Sequence, residues 1–145
     1  MNYDQLYQLA RQAGFDMNAP NIAAAIALAE SDGDPRAHND DPPDDSYGLW
    51  QINMLGAKGP ERRRALGLTS NPQLFDPAIN PKAAKYVFDA QGWNAWSAYK
   101  NGDYKEHLQD INDMTVSGLP GTTSGPIGDA ISDVFGAAGD VVGAL

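Results

Sequence analysis

The sequence feature that most constrains the fold is an alanine-rich apolar run over residues 21–29 that ends in Glu30. A helix over this run carries five alanines and is therefore narrow, so other elements can pack closely around it, and we predict that it lies at the centre of the core. Ile22, Ile26 and Glu30 recur at four-residue intervals, which places the carboxylate at the border of the buried face. An ionisable group in that position calls for an explanation.

Two features of its position would raise the pKa of Glu30. Burial against an apolar wall disfavours the charged form, and so does the negative end of the helix dipole, because the Ser-Asp-Gly-Asp-Pro segment at 31–35 ends the helix directly after Glu30. A carboxylic acid that stays protonated near neutral pH is what the general acid of glycosidic bond cleavage requires. A helix-end glutamate that points into water fits the spacing equally well.

A second informative stretch, Tyr47 to Asn53, alternates bulky apolar and polar side chains, which predicts a short extended segment or hairpin arm that lines a cleft. Gly48 would allow the backbone to approach a ligand closely. Gln51 and Asn53 lie two residues apart and would present their amide groups on one side of the strand. Stabilisation of a turn is an equally good interpretation of Asn53, and Trp50 is assigned to the core.

Three short motifs follow one another along the chain. They are Ala-Leu-Ala-Glu-Ser at 27–31, Gly-Leu-Trp-Gln-Ile-Asn at 48–53 and Ala-Tyr-Lys-Asn-Gly at 98–102. Together they resemble the motifs of the soluble lytic transglycosylases and goose-type lysozymes, with Lys100 where that family usually has Asn. Each motif is weak alone, but three in the right order at compatible spacing are a fairly specific signal. The resemblance covers roughly residues 20–110.

The resemblance implies a mostly helical, lysozyme-like α+β fold and cleavage of the β-1,4 bond between N-acetylmuramic acid and N-acetylglucosamine in the glycan strands of peptidoglycan. Glu30 would be the catalytic residue, which protonates the leaving oxygen and later acts as base. Gln51 would contact the substrate, and the Tyr99 hydroxyl would reach toward the glutamate or the sugar. The expected substrate-binding set is Ser31, Tyr47, Gly48, Gln51, Asn53 and Tyr99.

The outcome of the reaction stays open at this point. Lytic transglycosylases use one glutamate and finish with the sugar's own 6-hydroxyl, which gives a 1,6-anhydro product, whereas a hydrolytic lysozyme needs a second carboxylate. The resemblance favours the anhydro product. The aspartates close enough in sequence to serve as a second carboxylate are Asp32, Asp34, Asp44 and Asp45. A non-catalytic lysozyme-like module of a virion is a further alternative, against which the joint presence of Glu30, Gln51 and Tyr99 argues.

Residues 32–45 contain six aspartates and three prolines, which excludes a helix or an interior strand and predicts a solvated acidic loop. Calcium binding is the alternative, but the spacing does not match an EF-hand loop. We expect no cofactor and no metal site, because the chain has no cysteine and only two histidines. The net charge of −9 argues against nucleic acid as a partner, and no stretch is long enough for membrane insertion.

Further helices are predicted on both sides of a short basic segment. Hydrophobic spacing favours helices over residues 3–13 and 80–91, both with supporting roles. A short helix beginning at Pro60 would carry a solvated basic face. That face consists of Lys58, Arg62, Arg63 and Arg64. Aromatic residues at 93, 96 and 99 recur every third residue, which predicts one shared helical face.

The composition changes after the last predicted helix, 103–111, and indicates three parts. These are a domain over residues 1–116, a flexible linker over 117–126 and an amphipathic helix over 127–145 that docks onto another protein chain or onto its own domain. The N-terminus does not read as a secretory signal peptide, although such an enzyme must reach a cell wall. This combination favours a bacteriophage protein, carried in the virion tail or released to the wall at lysis.

Overall fold

The computed structural model describes residues 1–17 and 19–108. The predicted domain end at residue 116, the linker over 117–126 and the docking helix over 127–145 lie outside these residues, so the virion partner assigned to that helix stays a prediction. The described part is mostly helical with one small antiparallel sheet. The predicted lysozyme-like α+β fold class is therefore confirmed.

Helices make up most of the described chain. The α-helices are α1 (Tyr3–Ala13), α2 (Pro20–Ser31), α3 (Lys58–Leu66), α4 (Asn80–Gln91) and α5 (Ser97–Lys100). Short 3₁₀ segments occupy Phe15–Met17, Asn71–Phe75, Trp93–Ala95 and Asp103–His107. None of the described helices is long and apolar enough to cross a membrane.

Helix α2 lies at the centre of the core, as its alanine content predicts. The five consecutive residues from Ala23 to Ala27 are completely buried. Helix α1 and the 3₁₀ segment Asp103–His107 pack against it, and small side chains permit this close approach. Asp32 adopts a left-handed conformation with φ of 56° and ends the helix, so Glu30 stands in its last turn.

The stretch from Tyr47 to Asn53, predicted as a short extended segment or a single hairpin arm, is instead a complete hairpin with a turn at residues 48–51, where Gly48 and Gln51 have positive φ. The strands of the sheet are β1 (His38–Asn39), β2 (Ser46–Tyr47) and β3 (Ile52–Asn53), in the order β1-β2-β3 with both pairs antiparallel. The prediction of an irregular loop throughout residues 32–45 is wrong at β1. An edge strand needs hydrogen bonds on only one side, so this exposed pair joins β2 despite the neighbouring prolines.

Three other helix predictions need correction. Helix α3 begins at Lys58 and not at Pro60, because proline loses no hydrogen bond within the first turn of a helix. The aromatic residues 93, 96 and 99 do not share one helix, since Trp96 is extended and separates Trp93–Ala95 from α5. Residues 103–107 form a 3₁₀ segment that ends at an extended Leu108, where an α-helix was expected.

Candidate active site

A cleft of about 340 Å³ opens beside the end of α2. Its walls come from the sheet, from α3 and from the segment that joins α4 to α5, and most of the side chains that line it are polar. The charged residues in the lining are Glu30, Asp44, Lys58, Arg62 and Lys100. A polar cleft of this size suits a ligand rich in hydroxyl and amide groups.

Glu30 is half-buried in this cleft, and its Oε2 accepts a hydrogen bond of 3.2 Å from the backbone N–H of Ala98. Burial is the largest influence on its pKa and raises it above the ordinary value. The hydrogen bond from Ala98 opposes this shift, while the negative charges of Asp44 and Asp103 add to it. The upward shift predicted for the pKa of Glu30 is confirmed, with burial as its main cause, and a raised pKa favours the protonated form that a general acid needs.

The raised pKa of Glu30 has a consequence for stability. Below the ordinary pKa of 4.5, Glu30 is protonated in both the folded and the unfolded protein. As the pH rises from there through the pKa that Glu30 has in the folded protein, the charge on the buried carboxylate destabilises the folded state. We expect Glu30→Gln to be more stable than the wild type at pH 7, by about 1.4 kcal/mol for each unit of the shift, and equally stable in acid. Urea unfolding at several pH values measures the difference. The exposed change Glu106→Gln is the control, and a pH-independent difference for Glu30→Gln would contradict the expectation.

Two tryptophans connect α2 to the other walls of the cleft. Trp50 is completely buried, and its Nε1–H donates to the Ala23 carbonyl in α2 at 2.9 Å. Trp96 is also buried, and its Nε1–H donates to the Trp50 carbonyl at 2.8 Å. The segment that presents the Ala98 N–H to Glu30 is therefore joined to α2 through buried hydrogen bonds. The predicted assignment of Trp50 to the core is confirmed by its burial.

Asn80, the first residue of α4, holds the hairpin turn in place from behind. Its side chain is completely buried, and its Oδ1 accepts from the Trp50 N–H at 2.8 Å. Its Nδ2 donates to the carbonyls of Tyr47 at 2.8 Å and Leu74 at 2.9 Å. Sequence reasoning identified Asn80 only as part of a helix start, because an Asn-Pro pair carries no signal of such distant partners.

Gln51 and Asn53 both line the cleft. They do so from a turn and from β3, and not from one extended strand as predicted, since Gln51 has φ of 47° and precedes β3. The Gln51 Nε2 donates to the carbonyls of Ala37 at 3.1 Å and Gly48 at 2.9 Å, while its Oε1 has no partner within the described residues. This oxygen is available to accept a hydrogen bond from a ligand. The Asn53 Oδ1 accepts from two backbone N–H groups, those of Asp45 at 3.1 Å and Leu55 at 3.0 Å. These bonds fit the turn-stabilising interpretation of Asn53.

Three other predicted site residues lie outside the cleft lining. Ser31 is buried, and its Oγ donates to the Ala27 carbonyl at 2.9 Å, which is a bond within α2. The Tyr47 hydroxyl donates to Asp45 at 3.2 Å. Gly48 has φ of 79°, and a Cβ there would lie 2.4 Å from the Asn80 Nδ2, so its close approach is to protein. These residues build the wall, and their contact with a ligand stays a prediction.

Tyr99 lies against other aromatic side chains. Its ring stacks on Tyr104 with a centroid distance of 5.0 Å and on Trp93 at 6.1 Å, and it is not among the residues that line the cleft. Its predicted contact with the ligand or with Glu30 stays a prediction. The next residue, Lys100, does line the cleft.

Among the four aspartates considered as a second carboxylate, Asp44 alone lines the cleft. Its Oδ1 lies 3.4 Å from both the Ser46 hydroxyl and the Asn53 Nδ2. Asp45 pairs with His38 at 2.8 Å and does not line the cleft. Over residues 1–17 and 19–108, no group of three or more histidine or acidic residues is arranged to hold a metal ion.

The interpretation of the basic segment as a solvated face is wrong for Arg62. Its side chain is buried, and its Nη1 donates to the Asn53 carbonyl at 2.7 Å, which fixes α3 to β3. Arg63 donates to the Asn71 Oδ1 at 2.6 Å. Lys58 is exposed but lines the cleft. Only the packing of α3 against β3 distinguishes Arg62 from its neighbours.

Comparison with family models gives a match over residues 7–98, to the family described as "Lysozyme like domain". The matched segment contains α2, the sheet, and the chain as far as the residue that donates to Glu30. Neither the curated proteins nor the solved structures give a match.

Proposed function

The chain belongs to the family of lysozyme-like domains, and from this premise we propose that it is a peptidoglycan lytic transglycosylase with Glu30 as its single catalytic acid. The family implies cleavage of glycosidic bonds in peptidoglycan. The observation that carries the assignment is the half-buried Glu30 carboxyl, with its raised pKa, in a polar cleft. Within the described residues no other glutamate lines this cleft.

In the proposed reaction Glu30 donates its proton to the oxygen that leaves when the β-1,4 bond between N-acetylmuramic acid and N-acetylglucosamine breaks. The Ala98 N–H bonds Oε2, so Oε1 is left to face the substrate. The same N–H stabilises the carboxylate that forms once the proton has left. The donor is thus held in one orientation through both halves of the reaction.

The second half uses the substrate's own groups. The 6-hydroxyl of the muramic acid residue attacks its anomeric carbon, the acetamido group assists, and the Glu30 carboxylate takes the hydroxyl proton, which gives a 1,6-anhydro end. The unpartnered Oε1 of Gln51 supports this proposal, because it can accept a hydrogen bond from the acetamido N–H. Glu30 returns to its protonated form without a second protein carboxylate.

Hydrolysis is the second candidate, and Asp44 favours it. This carboxylate lines the same cleft as Glu30, where it could activate a water molecule. The ends of the products distinguish the two reactions. We propose digestion of purified peptidoglycan followed by mass spectrometry: 1,6-anhydro ends support the transglycosylase, reducing ends support the hydrolase, and no products from a folded protein indicate a non-catalytic module.

Replacement of Asp44 separates these candidates further. We expect Asp44→Asn to retain activity within about ten-fold and to release the same anhydro ends, whereas loss of a required catalytic base costs about 100-fold or more. The high-pH limb of the activity profile should move to lower pH, because the Asp44 charge raises the pKa of Glu30. Asp103→Asn is the matched control, since Asp103 also raises that pKa but does not line the cleft. Activity lost with Asp44→Asn alone would favour hydrolysis.

A further inference from the structure

The cleft has the opposite charge to the rest of the protein. When Glu30 is protonated, the remaining charged residues of the lining are three cations and one carboxylate, Asp44. The chain as a whole carries 19 acidic and 10 basic residues. A cleft whose charged residues are mostly of one sign raises the local concentration of ligands of the opposite charge. The mostly positive charge of this cleft, in a protein of negative net charge, therefore favours an anionic ligand.

Two of the three cations are not used by the fold. Arg62 is buried and holds β3 through the Asn53 carbonyl. Lys58 and Lys100 are exposed, and neither ammonium group makes a hydrogen bond or an ion pair with any residue that the structure describes. They stand on different elements, at the start of α3 and at the end of α5, yet both line the cleft. Their charges are therefore available to a ligand.

We propose that Lys58 and Lys100 bind the carboxylates that muramic acid residues carry, so that the enzyme selects anionic peptidoglycan over neutral chitin. This inference rests on the proposed function. The muramic acid residue differs from N-acetylglucosamine in its 3-O-lactyl group. That group ends in a carboxylate when it is bare and in a stem peptide with its own carboxylates when it is substituted. Chitin has the same β-1,4 bond and acetamido groups without any charge.

Lysine suits this task for a physical reason. Its ammonium is a point charge on a flexible stem, so it can follow a carboxylate whose position varies with the length of the peptide. Exposed ion pairs are weak and screened by salt, so each lysine should contribute about three-fold in affinity and the two together about ten-fold at low ionic strength. The selectivity should decline as salt is added.

Binding to the inactive variant Glu30→Gln tests the proposal without turnover. Three soluble ligands of equal length are compared: strands with stem peptides, strands freed of peptides, and chitin oligosaccharides. Adding Lys58→Gln and Lys100→Gln should weaken binding to the anionic ligands about ten-fold and leave chitin binding unchanged. Weakening on the peptide-free strands alone assigns the lactyl carboxylate, and weakening on the substituted strands alone assigns the carboxylates of the stem peptide. Weakening on both kinds of strand means that the lysines bind whichever of these carboxylates is present. Lys82→Gln with Lys105→Gln, outside the cleft, controls for net charge.

Unchanged binding to every ligand, or equal weakening on chitin, would overturn the proposal. This failure differs from a failure of the proposed function. If the wild type cleaves peptidoglycan and the lysine variants bind as their parent does, only the assignment of the lysines falls. If the folded wild type releases no product from peptidoglycan, the proposed enzyme falls.

Discussion

Glu30→Gln should lower the rate of peptidoglycan cleavage by about 10²–10⁴-fold and leave the fold intact. Glutamine has nearly the shape of glutamate, and its side-chain oxygen can still accept the Ala98 N–H. It cannot transfer a proton to the leaving oxygen, nor can it take one from the 6-hydroxyl. Both halves of the proposed reaction depend on this one group, so the variant loses acid–base catalysis in both steps.

The measurement is the release of soluble fragments from purified peptidoglycan, with circular dichroism to establish that the variant is folded. Glu106→Gln makes the same chemical change at an exposed position outside the cleft, and it should retain the wild-type rate. The expected gain in stability at neutral pH makes Glu30→Gln a sharp test, because a lower rate then has no explanation in unfolding. A rate near that of the wild type would remove Glu30 from the mechanism.

The parts of the site that the sequence could predict are those with a local pattern. The alanine run and its Asp-Pro stop define α2, and the last turn of that helix is where Glu30 lies. Alternation between Tyr47 and Asn53 locates the hairpin, although it predicts one extended arm and the chain turns at residues 48–51. Each of these signals is contained within about a dozen residues, which is the range over which helix and strand periodicity operates.

The parts that could not be predicted depend on contacts between different elements, which helix and strand periodicity does not encode. Ala98 bonds Glu30 through its backbone N–H, and a main-chain group has no signature in the sequence. Arg62 resembles its basic neighbours until α3 is placed against β3. The short strand β1 forms only because β2 supplies an edge beside an otherwise irregular segment. Tertiary context decided all three, and local propensity carried no information about them.

Asn80→Ala should have the largest effect on stability, a loss of about 3–4 kcal/mol in the free energy of unfolding. The change leaves three buried backbone groups without their partner: the Trp50 N–H and the carbonyls of Tyr47 and Leu74. Each buried group left unsatisfied costs about 1–3 kcal/mol, and partial relaxation of the turn reduces the sum. Activity should fall as well, because Gln51 belongs to this turn and a loosened turn no longer holds its side chain in place in the cleft wall. Asn80 itself does not line the cleft.

Urea unfolding and the rate of peptidoglycan cleavage measure the two effects. Asn94→Ala makes the same substitution at an exposed position without a hydrogen bond, and it should change stability by less than about 0.5 kcal/mol. Asn80→Asp keeps the acceptor for Trp50 but loses both donors and buries a charge, so it should destabilise at least as much as alanine. Near-wild-type stability for either Asn80 variant would mean that packing of the hairpin alone fixes the conformation of its turn. The cleft wall would then not depend on the helix behind it.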